Sequence, residues 1–247
     1  MGPEGRVAGK VYVFAAAGGR LRFEVVSPME TPVRTVAVDG TSGTFTMTDH
    51  EAQRCTEAAA DPCLVREAIG VELAPAHVAA TLVGAPPLLR HRDATSRWSR
   101  CGYYEIDLQG REDGWSESLR VTPASGEFVA TKAVITGPQG VVLDIELRNH
   151  EPVQGLLLPR RLAIRAPVSR GDLRVEVRSV ELDVDLPESA FRARCPEGFS
   201  VEPATCESAS SPPVLEETSA PTPPLPEPEP RPDAGAPGGD LNEELGL

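Results

Sequence analysis

The residues able to do chemistry in this chain are few and dispersed. Histidines stand at 50, 77, 91 and 150, with no shared spacing. His91 and Asp93 are close, but two ligand types fall short of a metal site, and a solvated loop is the plainer reading. "GTSG" at 40–43 lacks the Gly-x-Ser-x-Gly spacing of a nucleophile elbow. There is no phosphate-binding Gly-x-x-x-x-Gly-Lys loop and no dinucleotide fingerprint. Carboxylates alternate with apolar residues at Asp144 and Glu146 and again at Glu181, Asp183 and Asp185. That is the solvated face of a half-buried sheet rather than an acid/base pair. No catalytic residue, metal or cofactor is expected, and an enzyme is not expected.

Cysteines lie at 55, 63, 101, 195 and 206, without a Cys-x-x-Cys pair. Zinc ribbons and thioredoxin-type sites are thereby disfavoured. Cys55 with Cys63, and Cys195 with Cys206, would each close a short loop, which suits disulfides in an oxidising compartment. Five free thiols are the alternative. The odd count leaves Cys101 alone.

These groups must be carried by strands. Period-two patterns run through roughly 9–17, 20–27, 33–39, 43–48, 101–109, 117–122, 128–136, 140–148, 156–165 and 172–186. "GVVLDIELRNHE" is the cleanest, with Val141, Leu143, Ile145 and Leu147 on one side. Turn signals at 17–19, 38–40, 124–127 and 136–140 separate the runs, so an antiparallel meander is expected. Apolar residues switch from odd to even positions between Val177 and Val180, which predicts a bulge, or else two strands with a break. Helix is predicted after Pro75, where Val78, Ala79, Leu82 and Val83 share a face and Gly84 and Pro86 end it. A second short helix is predicted over 62–69.

The chain has 247 residues and a net charge of −13. The balance argues against nucleic acid, whose binders need a basic footprint. Residues 207–247 hold nine acids, one base (Arg231) and ten prolines, a net of −8, so the body carries −13 + 8 = −5. With no aromatic residue, this stretch is expected to be a disordered, partly polyproline tail following a folded unit over 1–206. No run reaches the roughly 18–20 apolar residues of a membrane-spanning helix, and no signal peptide is visible after Met1.

About ten antiparallel strands with one apolar face can curl into a half-barrel that a helix plugs. The interior is then either an apolar cavity for one ligand or a fully packed core. The candidate cavity residues are Val11, Val13, Leu21, Phe23, Val25, Phe45, Tyr104, Ile106, Val141, Leu143 and Ile145, with Val78 and Leu82 from the helical lid.

The order of elements carries a resemblance. "RLRFEVV" is followed by the turn "SPMETP", a strand, the strand from Phe45 to Asp49, and a helix ending in "LVGAPP". This resembles the LolA/LolB-like superfamily, and within it most the LolB family of outer-membrane lipoprotein acceptors. The resemblance implies a half-open antiparallel β-barrel closed by helices, binding acyl chains without catalysis. It implies lipoproteins or lipid acyl chains and the outer-membrane surface as partners, and a monomer in the periplasm or at the outer membrane. A leader and a lipid-bearing cysteine would lie upstream of Met1. The LolB pattern has a turn of the type Asn-Pro-Leu-Gly whose exposed leucine engages the membrane. Here that turn is Ser27-Pro28-Met29-Glu30, which makes Pro28 and Met29 the candidate membrane-contact loop and puts Glu30 where glycine is expected. Met29 folded back on its own sheet is the alternative.

Overall fold

The computed structural model describes residues 9–204 and 214–216. Among the described residues the chain is mainly β, with two sheets that do not close on each other and two α-helices. The first sheet contains β1 (Lys10–Ala16), β2 (Arg20–Val26), β3 (Pro32–Asp39), β4 (Thr44–Asp49) and β5 (Arg54–Ala59), in that spatial order. Helices α1 (Pro62–Ile69) and α2 (Pro75–Leu82) follow. The second sheet runs β6 (His91–Ser99), β7 (Tyr103–Gly110), β8 (Ser116–Ala124), β9 (Glu127–Gly137), β10 (Gly140–Val153), β11 (Leu156–Ala166) and β12 (Gly171–Glu176). A last short strand, β13 (Ser200–Glu202), returns to the first sheet and pairs parallel with β5. All the other pairings are antiparallel.

The predicted helices form where the punctuation places them. Pro62 fits the first turn of α1, whose amide is unpaired anyway, and the Asp61 side chain accepts from the Cys63 N–H at 2.8 Å. Gly70 ends the helix in the left-handed region (φ 87°), which only glycine enters without strain. Its carbonyl also lies where a side chain on Gly171 would sit, 2.3 Å from the position of a Cβ. Glycine at 171 therefore lets α1 seat on the start of β12. Both helices lie over the gap between the sheets. Leu64, Val65 and Val78 join Leu21, Val38 and Phe45 from the first sheet and Ile135, Ile145 and Leu162 from the second in one core.

Three strands fall outside the sequence pattern. β5 and β6 carry no regular apolar alternation, because β5 is covered by chain on one side and β6 is an exposed sheet edge. β13 is three residues long. The expected strand over 172–186 ends at Glu176 instead. Val177 makes one more bond, N–H to the Arg160 carbonyl at 2.8 Å, and then the chain leaves the sheet. The change of phase marks that departure rather than a bulge within a strand. Glu181, Asp183 and Asp185 thus lie in irregular chain. Asp144 and Glu146 do stand on a strand, in a ladder of ion pairs with Lys132 and Arg165.

The segment from Glu188 to Glu202 straps the outer face of the first sheet. Phe191 is buried, with the Arg20 guanidinium 5.4 Å from its ring centre. Arg192 Nε donates to Asp39 Oδ2 at 2.8 Å. That contact, with the Ser42 hydroxyl, holds the Asp39 carboxyl down at about 2. The strap is fixed covalently by a disulfide between Cys55 and Cys195, 140 residues apart. The pairing differs from both short-loop expectations, Cys55 with Cys63 and Cys195 with Cys206. The strap crosses the sheet beside Cys55, with Thr46 Oγ1 donating to the Ala193 carbonyl at 3.0 Å and the Cys195 N–H donating to Glu57 Oε1 at 2.9 Å, and sequence spacing holds no trace of that. Cys63 is also disulfide-bonded, though not to Cys55. Cys206 lies outside the described residues, and Cys101 is free and exposed.

Candidate apolar site at the open end of the half-barrel

The residues proposed to line a cavity fall into three groups. Leu21, Phe23, Phe45, Val78, Leu143 and Ile145 are buried in the common core, packed against one another. Leu82 and Ile106 are half-buried against that core. Val11, Val13, Tyr104 and Val141 are exposed. Two register shifts explain part of the split. One between Val25 and Val26 buries Val26 and leaves Val25 half-buried. Another between Val141 and Leu143 takes Val141 out of the core phase. Beneath the helices these side chains form one continuous core.

Space opens at one end of the second sheet. There the turns at 100–102, 125–126 and 154–155 lie together, because β6–β7, β8–β9 and β10–β11 are hairpins of one meander. A cleft of about 200 Å³ is lined by Val83, Gly84 and Ala85 after α2, by Phe128, Val129 and Ala130 on β9, and by Leu156, Leu157 and Leu158 on β11. His150 and Glu127 complete it. Burial lowers the His150 imidazole pKa from its usual value, favouring the neutral ring beside the apolar lining. The cleft is smaller than the roughly 300 Å³ at which small-molecule pockets begin.

Its rim continues as an aromatic run. Phe128 stacks edge-on with Tyr104 at 5.9 Å between ring centres, and Tyr104 with Trp98 at 4.7 Å. Trp98 is opposite Tyr104 in the β6–β7 ladder, and Ser96 opposite Ile106, so the aromatic run lies on the face that carries Ile106 and Leu108 toward the core. Yet Phe128 is 63% exposed, Trp98 55% and Leu156 53%. α2 ends before it reaches them. Aromatic rings that belong to the core face of a sheet but meet solvent form an apolar patch of the kind that marks a binding surface. Sequence reading named Tyr104 only. Trp98 and Phe128 were legible as apolar residues, but nothing in the spacing said that the lid stops short of them.

Met29 caps the β2–β3 turn and is 85% exposed. Ser27 organises the turn: its N–H donates to the Thr31 carbonyl, and its hydroxyl accepts from the Met29 and Thr31 amides. Glu30 occupies the left-handed position (φ 61°), where glycine would sit without strain. Its carboxylate pairs with Lys10 across to β1 at 2.6 Å. Met29 is therefore held outward by a closed hydrogen-bonded loop, with Pro28 exposed beside it.

Three other histidines have hydrogen-bonding neighbours. His77 Nε2 lies 3.0 Å from the Glu216 carbonyl, His50 contacts Thr35, and His91 contacts the Leu89 carbonyl. Glu117, on β8, is buried beneath the chain that enters β6. Its Oε2 accepts the Leu89 N–H at 2.6 Å, and its Oε1 has no hydrogen-bond partner among the described residues. Burial pushes this carboxyl up to about 7.

The fold and this open end define a half-open β-barrel with a short helical lid and an apolar mouth. No protein-family profile matches the chain, and no curated protein matches it. Among solved structures it is similar in fold to a LolA superfamily protein from Nitrosomonas europaea, at 15% identity over 74% of this chain and 80% of that one, with a TM-score of 0.45. It is also similar to a domain described as an outer membrane lipoprotein-sorting protein from Vibrio parahaemolyticus, at 10% identity over 73% and 79%, with a TM-score of 0.48. At these identities the likeness concerns fold alone.

Proposed function

We propose that this protein binds an apolar chain, the acyl group of a lipid or lipoprotein, at the open end of the half-barrel and performs no chemistry on it. The observation that carries this reading is the exposed run Trp98–Tyr104–Phe128, continuous with the cleft between α2 and β11. Each methylene buried there contributes roughly 0.8 kcal/mol, so a partly inserted chain gains useful affinity from burial alone. The small cleft volume means that insertion beyond the rim requires its wall at Val83–Ala85 to shift. The Cys55–Cys195 disulfide supports an oxidising compartment, and the reading is of a cell-envelope protein. In its finer form, the protein receives or delivers lipoproteins at the outer membrane as LolB proteins do, and Met29 is its membrane contact.

The test is a titration of the full chain with a triacylated lipopeptide and its unacylated form, read by tryptophan emission. Acyl-dependent binding is expected, weakened at least tenfold in Phe128→Asp. Equal binding of the two peptides, or none of either, would overturn the proposal. The continuous core favours one second reading, a packed envelope scaffold that holds a partner through its acidic tail. In that case a variant ending at Glu216 would lose its partner.

A further inference from the structure

A sheet edge presents a row of unpaired N–H and C=O groups, and proteins guard such edges with charged side chains or keep them short. Among the described residues the two sheets have four edges, β1, β13, β6 and β12. β13 is three residues long. β6 carries Arg92, Asp93 and Arg97, and β12 carries Asp172, Arg174 and Glu176. β1 is different: it reads KVYVFAA over Lys10–Ala16. Its one charge, Lys10, stands at the end of the strand and pairs with Glu30 at 2.6 Å. Both of its faces are apolar. Val11 and Val13 stand opposite Val25 and Phe23, on the side that faces the core, yet both are exposed. Tyr12, on the outer side, is exposed as well.

We propose that two copies of this protein pair edge to edge through β1, antiparallel, about a twofold axis at Val13. The strand's own sequence selects a second copy as the occupant. In that register Val13 meets the partner's Val13, Val11 meets Ala15, Tyr12 meets Phe14 and Lys10 meets Ala16, so the whole strand is used. Directly opposite residues of an antiparallel ladder share a face. Tyr12 and Phe14 therefore form cross-strand aromatic pairs on the outer side, and Val11, Val13 and Ala15 of both copies form one apolar row on the inner side. No like charges stand opposite each other, since each lysine meets an alanine. A register shifted toward the start of the strand leaves residues unpaired and draws the two lysines together. The two six-stranded sheets join into one continuous sheet. An edge this short belongs to the class of small interfaces, below roughly 1,200 Å², so the dimer is expected to be weak and concentration-dependent. The pairing is independent of the acyl-binding reading.

The experiment uses the full chain with Cys101→Ser, which removes the free, exposed thiol. Sedimentation velocity should show a monomer–dimer equilibrium, and Val13→Lys should raise its dissociation constant at least about tenfold by setting two ammonium groups side by side. Cysteine pairs read the register. Val13→Cys should cross-link to itself on mild oxidation, since opposed Cα atoms of an antiparallel pair lie within disulfide reach. Lys10→Cys mixed with Ala16→Cys should cross-link, while each alone should not, because its own counterpart is six residues, roughly 20 Å, along the strand. A chain that stays monomeric at sub-millimolar concentration would overturn the proposal. A dimer that survives Val13→Lys, or that gives neither the Val13 nor the mixed cross-link, would overturn it equally, since the contact would then lie elsewhere.

Discussion

Replacing Glu117 by glutamine should stabilise the protein at neutral pH and do little in acid. The Glu117 carboxyl is buried, and its pKa rises from 4.5 to about 7 on folding, chiefly by desolvation. Below pH 4.5 both folded and unfolded chains hold the proton, and the group carries no electrostatic penalty. Between 4.5 and 7 the unfolded chain gives up the proton while the folded chain keeps it, so stability falls as pH rises. About 2.5 pH units at roughly 1.4 kcal/mol per unit gives about 3–4 kcal/mol, a loss complete just above pH 7. Glutamine can accept the Leu89 N–H as Glu117 Oε2 does, so packing and the bond at 2.6 Å are kept while the titration is removed. Urea unfolding of both proteins from pH 4.5 to 8 measures the difference. With a slope of about 2 kcal/mol/M, the midpoint gap should widen by about 1.5–2 M across that range. A gap that stays constant within about 0.3 M would show that Glu117 is not held protonated and that the burial argument is wrong.

The Cys55–Cys195 bridge closes a separation of 140 residues, so converting both cysteines to alanine should cost about 2–5 kcal/mol of stability in urea unfolding. A loss under about 1 kcal/mol would mean that the strap holds by Phe191 and Arg192 alone. Met29→Glu should leave stability within about 0.5 kcal/mol, since the side chain touches little, while abolishing co-sedimentation with anionic vesicles. Unchanged vesicle association would assign Met29 no membrane role.

Most of the first sheet was legible because its strands obey local rules. Leu21 and Phe23 alternate with Arg20, Arg22 and Glu24, and the turns between strands carry their own glycines and prolines. α1 and α2 were legible from Pro62, Gly70 and Pro75 for the same reason. β6 was not, because an edge strand facing solvent needs no apolar alternation. The binding surface was the least legible part. Val11, Val13 and Val141 have the composition of a lining but end in solvent, while Phe128 and Leu156 frame the cleft.

By itself the sequence determined the period of most strands, the ends of both helices, the position of the turn that carries Met29 and a chain poor in catalytic groupings. These depend on neighbours within a few residues. Only the tertiary structure decided that Cys55 meets Cys195, that Glu117 is buried under Leu89, and that α2 stops short of Trp98 and Phe128. Each of those contacts joins segments far apart in the chain. Which partner is reached depends on the curvature of two whole sheets and the strap that binds them, and no local pattern encodes that.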